Sequence, residues 1–434
     1  MKVGFILVFL VLYVMLEQGT LLLQVKGDGD DDGFVKVRGV HLMLNGIPYY
    51  ANGYNAYWLM YMASDPSERN KVSSCFQEAT NHGLNLARTW AFSDGGYKPL
   101  QYSPGSYNED MFLGLDFVIS EARRYGTKLV LSLVNNYDNF GGKKQYVEWA
   151  KSEGQTIISE DDFYTNPVVK EYYKNHIKSV LTRRNNFTGV VYKDDPTIMA
   201  WELMNEIRCP SDQSGNTVQA WITEMASYLK SIDGNHLLEA GLEGFYGQSK
   251  QEYNPSFRVG TDFIANNQIP VIDFATVHSY PDQWLPGSSY EDQISFLDRW
   301  LNDHIQDAQN TIQKPVLFAE FGVSMTNIST TDSTLRDQFF NMVYSAIYSS
   351  ASDGGAAVGG LFWQLLAQGM DSFRDGYEVP LDESSSTATL IAQESQKLNR
   401  IRMKSFPRVK ISKQWNKARE VRSSRWKGGA NERN

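Results

Sequence analysis

Two glutamates, Glu206 and Glu320, each close an apolar run of the kind that forms a buried strand. Such a pair suits the hydrolysis of a glycosidic bond: one carboxyl group protonates the leaving oxygen, and the other attacks the anomeric carbon or activates water. The distance between the carboxyl groups decides the stereochemistry, because retention needs about 5–5.5 Å and inversion about 6.5–9.5 Å. Taken alone, a glutamate at a strand end is more often a solvated charge or part of a structural ion pair.

Polar and aromatic side chains end other apolar runs as well, and together they could hold a sugar. Aromatic rings suit the apolar faces of sugar rings, while amide and guanidinium groups can bind hydroxyl groups. Each of these residues also has an ordinary structural explanation, such as core packing or a salt bridge, so their convergence carries the argument. The set comprises Arg88 and Trp90 after the second run, Asn135 and Asn136 after the third, Asn205 after the fourth, His278 and Tyr280 after the sixth, and Trp363 at the eighth.

The sequence contains no motif typical of a metal site, a nucleotide-binding site or a serine hydrolase. The six histidines are not paired at ligand spacing, and there is no H-E-x-x-H motif. The chain also lacks the G-x-S-x-G motif, the G-x-G-x-x-G fingerprint and a phosphate-binding loop. We therefore predict an enzyme that uses neither a metal nor a cofactor.

Eight apolar or β-branched runs recur along the chain, and amphipathic helical stretches lie between most of them. One such stretch, 115–124, places Leu115, Val118 and Ala122 on one face. Strands alternating with helices over about 365 residues predict an α/β fold, a (β/α)8 or TIM barrel. The long interval after the third run predicts an inserted loop at 137–166. The runs are 49–53, 84–89, 128–134, 198–204, 237–240, 274–278, 316–321 and 360–363.

In such a barrel the catalytic groups lie just beyond the carboxyl ends of the strands. Strands four and seven lie nearly opposite each other, so Glu206 and Glu320 should face each other across the mouth. The alternative fold is an open doubly wound sheet, against which the missing nucleotide fingerprint argues.

The ends of the chain differ in character from its body. Lys2 and the apolar stretch 3–16 predict a cleaved signal peptide over 1–25, and hence a secreted protein with no membrane contact after cleavage. An uncleaved anchor is the alternative. An acidic linker over 26–33, a catalytic barrel over 34–398 and a basic tail over 399–434 should follow.

The net charge of −9 divides into −19 for most of the chain and +10 from Leu398 onward. The acidic body argues against nucleic acid as a partner. We expect the tail to be flexible and to contact acidic polymers or the body itself.

Two further features suit export. The sequons at Asn186 and Asn327 predict glycan sites. Cys75 and Cys209 are too few for a disulfide scaffold; they either bond to each other or remain two separate buried thiols.

Five segments resemble glycoside hydrolase family 5, and most closely its plant endo-β-mannanases. The resemblance implies a retaining endo-hydrolase of internal β-1,4-mannosidic bonds in the mannan, galactomannan and glucomannan of the cell wall. An endo-β-1,4-glucanase of the same fold and a mannan transglycosylase are the alternatives, and the intact glutamate pair disfavours a non-catalytic sugar-binding protein. The resemblance covers about residues 34–398. The segments that carry it are 34–60, 84–95 (LNLARTWAFSDG), 198–209 (IMAWELMNEIRC), 275–284 (ATVHSYPDQW) and 315–324 (PVLFAEFGVS).

The resemblance also implies a role for each residue. Glu206 matches the general acid/base and Glu320 the nucleophile. Asparagine, at 135 or 136, replaces the histidine of many members. The other matches are Arg88 and Tyr280 as groups that orient the nucleophile, Asn205 as the ligand of the sugar 2-hydroxyl, His278 as support for the acid/base, Trp363 as the platform beneath the sugar, and Trp90 as a further substrate contact.

Two expectations concern Glu206 itself. The family usually has proline directly after this residue, and Ile207 in its place predicts a slightly looser acid/base. Nearby negative charge and partial burial should keep Glu206 protonated before reaction, while Glu320 starts ionised.

Overall fold

The protein is described from a computed structural model, which covers residues 32–255, 258–326, 334–379, 381 and 385–404. The predicted signal peptide, most of the acidic linker, the sequon asparagine at 327 and the tail beyond Lys404 lie outside these residues. Within the described part of the chain, no helix is both long enough and apolar enough to cross a membrane.

Eight parallel strands form the predicted barrel, and every predicted run overlaps one of them. All of their residues except Lys128 are buried, which explains why the strands fall within continuous apolar runs. The strands are β1 (Ala51–Asn55), β2 (Leu86–Trp90), β3 (Lys128–Ser132), β4 (Ile198–Glu202), β5 (Leu237–Glu239), β6 (Ala275–Ser279), β7 (Val316–Phe321) and β8 (Ala357–Phe362).

A helix follows each strand and packs on the outside of the sheet. In the second of these helices, the Asn108 side chain caps the first turn by accepting from the Asp110 amide, and Gly126 ends the helix at φ 71°. The helices are α1 (Arg69–Asn81), α2 (Glu109–Tyr125), α3 (Pro167–Leu181), α4 (Asn216–Ile232), α5 (Phe263–Asn267), α6 (Tyr290–Asp307), α7 (Thr334–Ser352) and α8 (Ser385–Lys404).

Shorter elements decorate the connections. Two small antiparallel sheets lie outside the barrel in the described part of the chain: one of three strands before β1, and one of two strands between β2 and α2. The strands of the three-stranded sheet are Val35–Arg38, His41–Leu44 and Ile47–Pro48, and those of the two-stranded sheet are Gln101–Ser103 and Ser106–Tyr107. The additional α-helices are Leu59–Ala63, Gly142–Ser152 and Pro281–Trp284. The 3₁₀-helices are Pro66–Glu68, Glu160–Phe163, Tyr192–Asp194, Gln248–Tyr253 and Asp371–Phe373, and Ala308–Ile312 forms a π-helix.

The barrel closes by two different means. Strands that are consecutive in sequence pair side by side, and β8 pairs with β1, with Gly359 opposite Ala51. Between β5 and β6 two flanking backbone bonds replace the ladder, Asp273 N–H to Leu238 O at 2.8 Å and His278 N–H to Glu243 O at 2.9 Å.

The last helix fastens the seam between β8 and β1. The buried Asn52 side chain of β1 donates to the Ile391 carbonyl at 2.9 Å and to the Ser395 hydroxyl at 2.8 Å, both on α8. Because α8 extends to Lys404, the predicted barrel boundary at residue 398 falls inside a helix.

Two apolar layers hold the fold together. A large layer fills the space between the sheet and the helices. A smaller cluster fills the amino-terminal half of the barrel, where Val35 and Leu42 of the three-stranded sheet pack against Leu86, Val130 and Leu317. That sheet covers the amino-terminal end, which leaves the carboxyl ends of the strands as the open mouth.

The structure bears on two predictions from the sequence, the inserted loop after β3 and the state of the two cysteines. The inserted segment 137–166 is not simply a loop, since it contains Gly142–Ser152 and Glu160–Phe163 as helices. Cys75 and Cys209 are both buried and both free, so the two separate thiols are the correct alternative.

Candidate active site

All eight predicted site residues come together at the carboxyl ends of the strands. They surround a pocket of about 550 Å³ at the barrel mouth. Arg88 and His278 lie beneath the pocket, fully or almost fully buried, and contact the carboxylates above them. The other six line the pocket itself: Trp90, Asn205, Glu206, Tyr280, Glu320 and Trp363.

Glu320, near the end of β7, receives two hydrogen bonds that favour its ionised form. Arg88 Nη1 donates to Oε1 at 2.5 Å, and the Tyr280 hydroxyl donates to Oε2 at 2.7 Å. Each donor occupies one carboxylate oxygen, so the orientation of the group is fixed. An oriented carboxylate of this kind is what a nucleophile requires.

Arg88 itself is held in place by buried acceptors. Its Nε and Nη2 bond both oxygens of Glu202 at 2.6 and 2.7 Å. Nη2 also reaches Asn205 Oδ1 at 2.6 Å, and Nη1 reaches Asn55 Oδ1 at 3.0 Å. The planar guanidinium therefore links the ends of strands β1, β2, β4 and β7 into one rigid unit.

Asn205 is fixed from two sides. Its oxygen accepts from Arg88, and its Nδ2 donates to Asn135 Oδ1 at 3.0 Å. Of the two asparagines that end the third run, Asn135 is therefore the one whose side chain bonds Asn205, while Asn136 donates its backbone N–H to the Asn205 carbonyl at 3.0 Å.

Glu206 lies in a backbone conformation rare for a residue with a side chain, at φ 56°. The next residue, Ile207, is buried and donates its N–H to Gly241 O at 3.2 Å, a bond that proline could not make. A Cβ on Gly241, itself at φ 89°, would lie 1.6 Å from Met204 O, so the chain approaches closely here. Burial of Ile207 and this bond hold the turn in the absence of proline, and the expected slight loosening of Glu206 stays a prediction.

His278 lies between the two glutamates. Its Nδ1 is 2.7 Å from Glu206 Oε1 and 3.6 Å from Glu320 Oε2. A register shift in β6 between Val277 and His278 sets the direction of the imidazole. One nitrogen or oxygen atom of each of the three side chains lies within 4.8 Å of the others, so the two carboxylates approach closely, as a retaining mechanism requires.

The protonation pattern differs from the one expected. Burial raises the pKa of Glu206, but the hydrogen bond and charge of His278, together with the Arg208 charge, outweigh burial and bring it below the usual value. Burial raises the pKa of Glu320. Burial lowers the pKa of His278, and the charges of Glu320 and Glu206 reverse this and raise it. The direction of the Glu206 pKa shift is therefore opposite to the one expected, and His278 is the group of this pair whose pKa is raised.

Aromatic rings form one side of the pocket. Trp363 stacks on Tyr57 at a centroid distance of 5.6 Å and an interplanar angle of 12°. Trp90 contacts the same tyrosine at 5.0 Å. The Trp363 Nε1 donates to Asp375 Oδ2 at 2.8 Å, which holds the indole plane at the pocket. These rings suit contact with the apolar face of a sugar.

Comparison with known proteins agrees with this geometry. Residues 32–371 match the family described as GH family 5 beta-mannosidase-like. The chain belongs to glycoside hydrolase family 5. It is therefore a glycoside hydrolase, and the predicted fold and family are confirmed.

Relatives of the family 5 enzyme cover almost its whole length. It is 64% identical over 390 residues to mannan endo-1,4-beta-mannosidase 7 of Arabidopsis thaliana, covering 89% of this chain and 90% of the relative. It is 59% identical to mannan endo-1,4-beta-mannosidase 1 of Oryza sativa subsp. japonica, covering 93% and 92%. The solved endo-1,4-beta-mannanase of Rhizomucor miehei is 32% identical with a TM-score of 0.72, covering 85% of this chain and 99% of that one.

Several residues of the family 5 enzyme's site were missed by the sequence reasoning. Tyr57 lies just after β1, and Glu243 lies just after β5, and neither strand end was examined. Glu243 forms a two-point ion pair with Arg208 at 2.6 and 2.7 Å, and the Tyr137 hydroxyl bonds Glu206. The strand-end rule that found Glu206 could have found Tyr57 and Glu243.

One group of described side chains could share a metal ion: Glu206, His278 and Glu320. These are the groups already assigned to the glycosidase chemistry, so they do not form a separate centre. In the family 5 enzyme each also has a protein partner.

Proposed function

We propose that this family 5 enzyme cleaves internal β-1,4-mannosidic bonds of mannan, galactomannan and glucomannan with retention of configuration. The observation that carries the proposal is the pair Glu206 and Glu320, which approach within 4.8 Å in a pocket walled by aromatic rings. Support for mannan as the substrate comes from relatives named mannan endo-1,4-beta-mannosidase that are 50–64% identical.

The reaction has two steps. Glu320 attacks the anomeric carbon while the bond to the leaving sugar breaks and Glu206 gives its proton to the departing oxygen. Glu206, now a carboxylate, takes a proton from water, whose oxygen attacks the same carbon and releases Glu320. His278 supplies Glu206 with its first proton across their 2.7 Å contact once substrate has displaced water.

The surroundings of Glu320 and Glu206 support these roles. Arg88 and Tyr280 hold Glu320 as an oriented carboxylate, whereas Glu206 faces a proton carrier. Asn205, fixed by Arg88 and Asn135, lies beside Glu206 where a sugar hydroxyl would be bound.

The decisive test measures reducing ends released from mannan, galactomannan, glucomannan, xyloglucan and cellulose. We expect mannans to be cleaved fastest, with the β-anomer as first product. Glu206→Gln and Glu320→Gln should each lose at least about a thousandfold in kcat. The matched control, Glu148→Gln, changes an exposed residue and should keep parent activity.

Other outcomes overturn the proposal. Faster cleavage of cellulose would make the enzyme a glucanase, and near-parent activity in either site variant would remove the assignment. Predominant transfer to added acceptor oligosaccharides would make it a transglycosylase.

We also propose that the enzyme is exported to the cell wall. The apolar stretch 3–16 supports this, as does the exposed side chain of Asn186 within its sequon. Expression in a eukaryotic secretory host should release a shortened, glycosylated chain into the medium. Asn186→Gln and Asn327→Gln should reduce the mass removed by a glycan-cleaving enzyme, and retention of a full-length, unglycosylated chain in cells would contradict export.

The basic tail supports a further interaction. Its excess of lysine and arginine favours binding to acidic wall polymers by electrostatic attraction, without a need for a specific site. Mannan is uncharged, so the active site alone would not hold the enzyme to acidic polymers. The tail would supply that attraction and keep the enzyme in the wall.

A further inference from the structure

A second pair of glutamates lies beneath the reacting carboxylates. Glu202 ends β4 and Glu239 ends β5, and the two are register partners in neighbouring parallel strands. Register partners direct their side chains to the same face of a sheet. Both glutamates are fully buried, at 0% exposure. Two carboxyl groups placed side by side in a dry interior cannot both be ionised without a large cost.

The two glutamates have different partners. Glu202 receives both arms of Arg88, at 2.6 and 2.7 Å. Glu239 receives only neutral donors at Oε2, namely the Gly241 amide at 2.5 Å and the Thr276 hydroxyl at 3.0 Å. No group in the described part of the chain donates a hydrogen bond to its Oε1. An unpartnered carboxylate oxygen in the interior is costly, whereas a protonated Oε1 can donate to Glu202.

We propose that Glu239 is a protonated positioning residue, whose carboxyl group donates to Glu202 and thereby aligns Arg88 on Glu320. The series runs from Glu239 to its register partner Glu202, from Glu202 to Arg88, and from Arg88 to Glu320. Glu202 must be an anion to hold the guanidinium, and Glu239 must be neutral to hold Glu202. The inference rests on the proposed role of Glu320 as nucleophile.

The acidities of the two groups agree with this division. Burial and the Glu202 charge raise the pKa of Glu239 well above its usual value. Burial also raises the pKa of Glu202, but the Arg88 charge outweighs it and brings the pKa of Glu202 to about 2. The charged groups facing Glu239 are thus Glu202 from β4 and Arg88 from β2.

The matched test changes each glutamate to glutamine, which differs by one atom. Glu239→Gln keeps a neutral donor facing Glu202, so kcat should stay within about threefold and the pH profile should be retained. Glu202→Gln removes the anion that holds Arg88, so kcat should fall about a hundredfold or more with little change in KM. Glu239→Leu keeps the side-chain volume but removes the donor, so its kcat should fall at least tenfold below that of the parent. Glu239→Gln, which keeps a donor, should retain the activity that Glu239→Leu loses.

Infrared spectroscopy of the parent enzyme tests the protonation without any substitution. A band of a buried protonated carboxyl group should persist at pH 8, disappear in Glu239→Gln and remain in an enzyme altered at an exposed position, Glu148→Gln. Circular dichroism verifies that each variant is folded.

Three results overturn the inference: no such band in the parent, equal damage from Glu239→Gln and Glu202→Gln, or parent-like kcat in Glu239→Leu. Failure of the parent to cleave mannan would refute the proposed function instead, and the infrared band would still decide whether Glu239 is protonated.

Discussion

His278 makes the two reacting carboxylates unequal. Glu320 has a cation and a phenol as donors, whereas Glu206 faces the imidazole and the Tyr137 hydroxyl. A carboxylate held by Arg88 and Tyr280 is prepared to attack, and a carboxylate facing an imidazole of raised pKa is prepared to receive and pass on a proton. The roles therefore follow from the partners rather than from the glutamates themselves.

Glu243 should influence the pH profile from the edge of the pocket. Burial and the nearby Glu206 charge raise the pKa of Glu243 to about 7, so it gains a negative charge in the neutral range. That charge disfavours loss of a proton from the pair formed by His278 and Glu206. Glu243→Gln removes it, so the alkaline limb of kcat/KM should move to lower pH, by about 0.5–1 unit.

The control for this prediction is Glu148→Gln on the exposed face of Gly142–Ser152, which should leave the profile unchanged. A limb that stays in place or moves to higher pH in Glu243→Gln would show that Glu243 does not act on Glu206 electrostatically.

Some features of the site were beyond sequence reasoning for a physical reason. Residue types at strand ends predict which groups meet, and Glu206, Glu320 and their six companions do meet. The protonation pattern depends on the direction of one ring, and that direction is set by a register shift before His278. Glu202 was missed because it lies inside the predicted run 198–204, and only the residues at the ends of the runs were considered as site residues.

At the scale of elements, the strands were predictable and the connections were not. Strands buried on both faces give continuous apolar runs, so all eight were found. The segment 137–166 forms a helix and a 3₁₀-helix whose positions depend on contacts such as Lys143 Nζ with Asp161 Oδ1 at 2.8 Å. Contacts of that kind join residues distant in sequence, so the periodicity of apolar residues within a short segment cannot predict them.

Helix α8 carries a buried acid that should make stability depend on pH. Glu394 is 1% exposed, and its closest cation in the described chain, Lys397 Nζ, is 3.6 Å away. Burial raises the pKa of Glu394 to about 7. Because the folded pKa exceeds the unfolded one, stability falls as pH rises from about 4.5 to 7 and stays reduced above that window.

Glu394→Gln removes this ionisation. The free energy of unfolding should rise by about 2–4 kcal/mol at pH 8 and change little at pH 4.5. Thermal unfolding at both pH values measures the difference. Glu171→Gln, at an exposed position of α3, is the control and should show no pH-dependent gain. An equal gain at both pH values would point to packing rather than ionisation.

At the scale of the whole molecule, charge is separated along the chain. Beyond Lys404 nine basic and two acidic side chains give a net charge of +7. A truncation after Lys404 keeps α8 entire, including the residues that hold Asn52, whereas a cut at 398 would remove its last turns.

The truncated enzyme should keep the parent kcat on neutral mannan oligosaccharides and lose salt-sensitive binding to pectin. Pull-down with pectin at low and high salt measures this, with DNA as a second polyanion. Equal pectin binding by both forms would contradict a role for the tail, and tighter binding of the full chain to DNA than to pectin would favour a nucleic-acid partner.

The seam between β8 and β1 has a consequence for biosynthesis. The first barrel strand obtains its second neighbour only from residues 357–362, and its Asn52 obtains its partners only from residues 391 and 395. A nascent chain shorter than this has an open sheet edge at β1, ready to pair with any other strand. The polypeptide therefore completes its barrel only after residue 395 has been synthesised, and until then its earliest strand has an edge that can pair with other chains.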